Sequence, residues 1–402
     1  MNRSNYILIS FFALSIVVFS CRKNTPDNTQ YSSEAISRVF GNTIDINNPE
    51  NYANQNIPSY ILAENGQNNP IDDRKATLGR VLFYDKKLSI NNTISCGSCH
   101  QQQFAFSDTA RQSTGVNGVT NRHSMRLINT RFARESKFFW NERAASLETQ
   151  TTMPIQDHAE MGYSGQNGDP NLSDLINKLN GLDYYQELVA WAYQDPKKTK
   201  KIDENTLQEC LSQFIRSIQS FDSKYDQGRS QLPLNANNDN LPNFTTSENN
   251  GRALFTNPPV FNDTGLRIAG GLGCGGCHRA PEFDIDPNSR NNGFVGNNEN
   301  PNILDLGNTR SPTLRDAVNQ NGIPNGPFMH TGVQTSLAQV MGHYGRIQVR
   351  PGNNNIDPRL TPRGFPQRLN LTTQERADVI AFLETLSGNS VYTDKKWSDP
   401  FN

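Results

Sequence analysis

Two copies of one pentapeptide limit what this chain can fold into: Cys96-Gly97-Ser98-Cys99-His100 and Cys274-Gly275-Gly276-Cys277-His278. C-x-x-C-H is the attachment pattern of c-type haem. Two thiols add across the porphyrin vinyl groups, and the histidine that follows is set beneath the iron as its axial ligand. Zinc knuckles also open with C-x-x-C. A zinc site would need unused partners at matching spacing, and a His abutting the second Cys is awkward for tetrahedral closure. The expectation is therefore two covalently bound haems c, with His100 and His278 as iron ligands. This also answers the composition. Only 34% of the 402 residues are hydrophobic, low for a chain of this length, and each porphyrin is itself a large apolar core element.

Of the six cysteines, Cys21 and Cys210 remain after the two motifs. Arg3 followed by the apolar run Tyr6 to Phe19 reads as an export signal too short for a comfortable membrane span. It ends in Val18-Phe19-Ser20-Cys21, which resembles a bacterial lipobox whose Cys is lipidated. The expected location is periplasmic, with the membrane reached only through a lipid on Cys21. Export agrees with covalent haem attachment, which in bacteria takes place outside the cytoplasmic membrane. A formal net charge of -1 gives no case for nucleic acid or for a broad grip on an anionic surface.

In order, residues 1–21 read as the signal peptide with its lipobox, and 22–75 as an Asn/Pro-rich tether without apolar periodicity. Residues 76–235 then form a first haem domain and 246–390 a second. Leu78 to Phe83 is expected to be a short helix. Leu207, Leu211, Phe214, Ile215, Ile218 and Phe221 fall at helical spacing with Cys210 flanking the stripe, which makes Cys210 a core thiol. Thr372 and Glu375 form a capping box for a helix that stops at Gly388. Gly79-Arg80-Val81-Leu82-Phe83 precedes the first haem motif as Gly251-Arg252-Ala253-Leu254-Phe255 precedes the second, which argues for duplication. No strong strand pattern is visible, and short hairpins are left to the loops. The fold class is mainly α, two cytochrome c-like haem domains in tandem.

The other face of each iron decides function: a strong side chain there makes an electron carrier, and an open position lets peroxide bind. For the second haem, Met341, His343 and Tyr344 can all bind iron, and spacing does not choose among them. For the first, peroxide cleavage needs a carboxylate to move a proton and an amide to orient the substrate. Glu160 and Gln150 are the candidates.

In order and spacing, several stretches resemble the bacterial di-haem cytochrome c peroxidase family. They are L-G-x-x-L-F-Y-D-K-x-L-S, S-C-x-x-C-H, F-W-x-x-R-A-x-x-L-x-x-Q-x-x-x-P-I, E-M-G, P-T-L-R, F-M-H-x-G and the closing F-L-E-T-L-S-G helix. The resemblance runs from about Ala76 to Gly388. It implies a peroxidatic N-terminal haem and a C-terminal haem where electrons enter from a small cytochrome c or cupredoxin. It further implies that Trp140 is a relay between the haems, that Gln150, Glu160 and Pro154 belong to the distal pocket, and that a homodimer is a common state.

Three departures shape the expectation. Val116 stands where many relatives place a capping His, so the first haem should be open when oxidised. Tyr344 stands where the usual axial Met lies, as in the MauG-like branch, with Met341 and His343 as rivals. His123 replaces an Asn that binds calcium between the haems; His is a poor calcium ligand, although carbonyls around Asn325 and Pro327 could contribute. The leading reading is a peroxidase reducing hydrogen peroxide. The alternatives are a MauG-like oxidase acting on a specific substrate and, further off, a non-enzymatic di-haem electron carrier.

Overall fold

The structure, a computed structural model, describes residues 31–134, 137–236, 239–285 and 287–401; the export signal and Cys21 lie outside them. Among the described residues there are eleven α-helices and three two-stranded hairpins, so the fold is mainly α. No described helix is long and apolar enough to cross a membrane.

The helices are α1 (Glu34–Phe40), α2 (Asp73–Tyr84), α3 (Cys96–Cys99), α4 (Leu147–Thr152), α5 (Leu172–Asn180), α6 (Asp183–Ala192), α7 (Glu204–Ser217), α8 (Lys224–Arg229), α9 (Thr246–Thr256), α10 (Leu337–Gly345) and α11 (Thr373–Glu384). The hairpins are β1 (Thr114–Gly115) with β2 (Gly118–Val119), β3 (Pro259–Phe261) with β4 (Arg267–Gly270), and β5 (His278–Arg279) with β6 (Asp284–Ile285), all antiparallel.

Two hydrophobic cores organise the chain, and each is built on one pair of helices. In the first, α2 lies against α7. A Cβ on Gly79 would stand 2.0 Å from the Cys210 carbonyl oxygen and 2.9 Å from Phe214 Cβ. In the second, α9 lies against α11, and a Cβ on Gly251 would stand 1.9 Å from the Asp378 carbonyl oxygen and 2.9 Å from Phe382 Cβ. The aromatic pairs repeat as well. Phe83 and Phe214 sit with centroids 5.2 Å apart at 58°, and Phe255 and Phe382 sit 5.3 Å apart at 58°. The sequence echo is thus one helix crossing made twice, with glycine where two backbones touch. Cys210 is fully buried in that first crossing, as its place beside the apolar stripe implied. The stripe helix ends at Ser217 rather than Phe221; Phe221 leaves the helix and packs on Phe132 (5.1 Å).

Residues 31–72 are a correction to the expected tether. They are packed onto the first half: Ala35, Ile36, Phe40 and Tyr52 are buried in the first core, and Tyr60 and Ile61 in a small cluster with Phe132. Glu187 accepts from the Ala35 and Ile36 amides (2.9 and 3.1 Å), and Asp73 from those of Tyr52 and Ala53 (2.7 and 2.8 Å). The segment escapes a search for periodicity because its apolar residues enter the core one at a time. Its backbone is satisfied by side chains rather than by regular structure.

The C-terminal end also departs from a simple tandem. After α11 the chain returns to the first core, where Val391 and Trp397 are buried. Tyr84 Oη donates to the Trp397 carbonyl (2.6 Å) and Arg80 Nε to that of Ser398 (2.6 Å). The division between cores falls earlier than expected, since Tyr225, Leu241 and Phe244 already belong to the second. A buried ion pair of the second half is met from the first: Arg315 reaches Asp226 with both Nη atoms (2.9 and 3.0 Å), and Tyr60 Oη donates to the same carboxylate (2.7 Å).

Because the obstacle at each crossing is a backbone carbonyl, Gly79→Ala and Gly251→Ala should each destabilise by about 2–3 kcal/mol. Denaturant unfolding checks this. A change near zero at either position would mean that the crossing is looser than described.

Candidate active site: two cavities with a common wall

Each C-x-x-C-H motif is a tight turn that presents its side chains to an internal cavity. The first is α3, begun by Ser95, whose N–H donates to Ser98 Oγ (3.0 Å). His100 follows with Nδ1 3.2 Å from the Phe106 carbonyl, a contact that orients the ring and leaves Nε2 for a metal. The second is a 3₁₀ turn, Cys274–Gly276, from which His278 opens β5. Cys96, Cys99 and His100 line the first cavity, together with Trp140, Gln150, Pro154 and Glu160. Cys274 and His278 line the second with Met341 and Tyr344. A thiol-bearing motif and an imidazole facing one cavity, with the helix pair Phe83/Leu211/Ile215 or Phe255/Val379/Leu383 as an apolar wall, fit a haem in each place.

The walls opposite the motifs are built alike. Phe138 bridges Ala144, and Phe328 bridges Gln334. Phe139 and Met329 have φ of 69° and 64°, and Glu142 and Gly332 have 58° and 65°. Ser146 then caps α4 by accepting from Thr149 N (3.1 Å), and Ser336 caps α10 by accepting from Gln339 N (3.3 Å). Residues 138–154 therefore follow the backbone of residues 328–344. Pro154 stands where Tyr344 stands in the other half, and Gln150 where Val340 stands. One position offers no lone pair to a metal, and its counterpart offers a phenol.

Of the three rivals at the second cavity, Met341 and Tyr344 line it. His343 turns away, with Nε2 3.0 Å from the Asn292 carbonyl and its ring on Phe294 (5.4 Å). Asn292 Nδ2 donates to Tyr344 Oη (3.3 Å), and burial holds that phenol well above its ordinary value.

At the first cavity, Glu160 is fixed by its backbone: its N–H donates to Asp157 Oδ1 (3.1 Å) and its carbonyl accepts from Val116 N (3.0 Å). Burial, then the nearby Asp157 charge, lift its carboxyl to about 7, against the opposing pull of Arg143. Val116 belongs to the β1–β2 hairpin lying over this segment, and its side chain faces Gly162. Arg143, which spacing did not single out for a role, lines the cavity with its guanidinium 3.5 Å from the Phe139 ring centroid. Its only sequence signal was its place in F-W-x-x-R.

The cavities share a wall of His123, Ser124, Met125, Arg126, Trp140 and Arg310. Trp140 Nε1 donates to the His123 carbonyl (2.7 Å), and the Trp140 ring meets that of His330 edge-on (6.4 Å). The His123 imidazole has Nδ1 3.0 Å from the Ala110 carbonyl and Nε2 3.5 Å from Ser107 Oγ. Burial lowers its pKa to about 4. A ring so engaged does not suit calcium.

Residues 73–231 match the family model for the di-haem cytochrome c peroxidases. The chain is 25% identical over 333 residues to the methylamine utilization protein MauG of Methylophilus methylotrophus, covering 80% of this chain and 85% of that one. It is 27% identical over 351 residues to a cytochrome-c peroxidase of Pseudomonas sp. strain SCT, covering 80% and 83%. Among solved structures, a MauG-like protein associated with microbial copper homeostasis superposes with a TM-score of 0.65 at 26% identity, covering 87% of this chain and 99% of that one. With two haem motifs on two like-built cavities, the chain is similar over most of its length to members of the di-haem cytochrome c peroxidase family, whose model residues 73–231 match.

Proposed function

We propose that the chain carries two haems c in tandem cytochrome c-like domains and reduces hydrogen peroxide at the first of them. Cys96, Cys99 and His100 would hold one group, and Cys274, Cys277 and His278 the other, with Tyr344 as a further ligand at the second. Bound there, the haems would supply the redox-active iron that peroxide reduction requires. The balance is one peroxide, two electrons and two protons giving two waters. An external cytochrome c or cupredoxin would deliver the electrons at the second cavity, and Trp140, in the common wall, is the residue they would pass. The export signal and lipobox support a periplasmic place, tethered through Cys21.

One observation carries this reading: like-built walls present Pro154 to the first cavity and Tyr344 to the second. The first is left without a ligating side chain at that position. There Glu160, as carboxylate, takes the proton from the peroxide oxygen that is attacked and returns it to the oxygen that leaves. Gln150 holds the peroxide by its amide, and Arg143 draws on the carboxylate from the side. A second reading, a MauG-like oxidase that takes electrons from a particular substrate, is favoured by Tyr344, because a tyrosinate stabilises the oxidised metal.

Glu160 must be ionised to act as base. With its carboxyl near 7, the peroxide reaction should speed up as pH rises from 5 to 8, half-way near 7. Stopped-flow rates should fall about 10²–10⁴-fold in Glu160→Gln and lose that pH step; an unchanged rate removes Glu160 from the mechanism. In Tyr344→Phe the absorption spectrum of one haem should change and the other stay fixed. An unaltered spectrum would transfer the ligand role to Met341. Reduced cytochrome c offered after peroxide should be oxidised over many turnovers, and its indifference would favour the oxidase.

A further inference from the structure

Two arginines stand in the wall between the cavities without an ion-pair partner among the described residues. Arg126 and Arg310 each line both cavities. The Nε of each is buried and unbonded. Arg126 donates one side-chain hydrogen bond, from Nη2 to the Thr313 carbonyl (2.8 Å). Asp316 and Asp284 act on it only through space, beyond ion-pair reach. Arg310 is 5% exposed and lays its guanidinium over the Phe138 ring (4.9 Å), while its backbone N–H donates to the Trp140 carbonyl (2.7 Å). Among the described residues neither guanidinium has a carboxylate within 4.0 Å. Arg122, which lines the first cavity alone, is different: it pairs with Asp305 at 2.6 Å.

A buried guanidinium that cannot lose its proton needs an anion or a dense set of acceptors. The ring nitrogens of His123, next to these arginines in the wall, are already engaged, and burial favours its neutral form. The anions that chemistry brings to these cavities are the propionates of the haems, two on each. A forked guanidinium matches a carboxylate in two parallel hydrogen bonds. We propose that Arg126 and Arg310 are the shared counter-cations of the propionates of both haems, so that one pair of charges sets the electrostatic potential felt on both sides of the wall. This inference rests on the di-haem reading above. Arg126 has no equivalent in the other half: Asn129 and Asp316, with φ of 55° and 49°, set the two wall segments in register, and Thr313 then stands at the place of Arg126. The device therefore belongs to the wall as a whole and not to either repeat.

A positive charge close to a haem disfavours the ferric form, which carries one more positive charge than the ferrous form. Removing it should make the haem harder to reduce. The test is a potentiometric titration of the exported holoprotein, followed optically at each haem. Haem content is measured first: fewer than two haems c per chain overturns the di-haem reading and this inference with it. With two haems present, Arg126→Gln should shift both midpoint potentials to more negative values, and Arg126→Lys, which keeps the charge, should leave both near the wild type. If Arg126→Gln gives no holoprotein, Arg310→Gln supplies the same readout and should also lower both. Unchanged potentials, a shift confined to one haem, or equal shifts in the Gln and Lys variants would overturn the shared counter-charge while leaving the peroxidase reading intact.

Discussion

Each half of this molecule depends on two helices meeting with their backbones in contact. At Gly79 and Gly251 the space for a single Cβ is already taken by a carbonyl oxygen of the facing helix. That closeness brings Phe83 onto Phe214 and Phe255 onto Phe382. The faces of the same helix pairs become the apolar back walls of the cavities, through Leu211 and Ile215 in one half and Val379 and Leu383 in the other. The haem motifs then need only a short turn to place two thiols and an imidazole opposite. A looser crossing would move the back wall, and the cavity would lose its fit to a flat ring.

On this repeated frame the halves diverge by few side chains. The loops 138–154 and 328–344 share their bridges, their left-handed residues and their serine caps. The first ends in proline and the second in tyrosine, and on the proposed reading this difference would separate an open position from a ligated one. Gln150 opposite Val340 adds a polar group to the first cavity, and Glu160, raised by burial into the neutral range, adds a carboxyl suited to carrying a proton. The proposed division of labour would thus need no change of backbone, only one side chain without a lone pair and one buried carboxylate.

Much of this was legible in the sequence because it is local. The haem motifs are contiguous, the capping box of Thr372 and Glu375 spans one turn, and the Gly-x-x-x-Phe echo lies on one face of one helix. Gln150, Glu160 and Trp140 were legible through their spacing in a family pattern. What escaped was non-local. Residues 31–72 lack periodicity because they bind through isolated apolar residues and through carboxylates far along the chain, such as Glu187 and Asp73. The return of Trp397 to the first core depends on helices more than three hundred residues away. Arg126 and Arg310 carry no local sequence signal, because their place depends on two cavities sharing one wall. The place of His343 beside Tyr344 suggested a rival ligand, and only the turn of its ring toward Asn292 removes it from the cavity.

The central claim is that the first haem is open before any electron arrives while the second is closed by a side chain. Electron paramagnetic resonance of the fully oxidised protein tests it most directly. The account requires a high-spin ferric signal from the first site beside a distinct signal from the second, with the high-spin signal lost on adding peroxide. Two low-spin ferric haems, unmoved by peroxide, would contradict it.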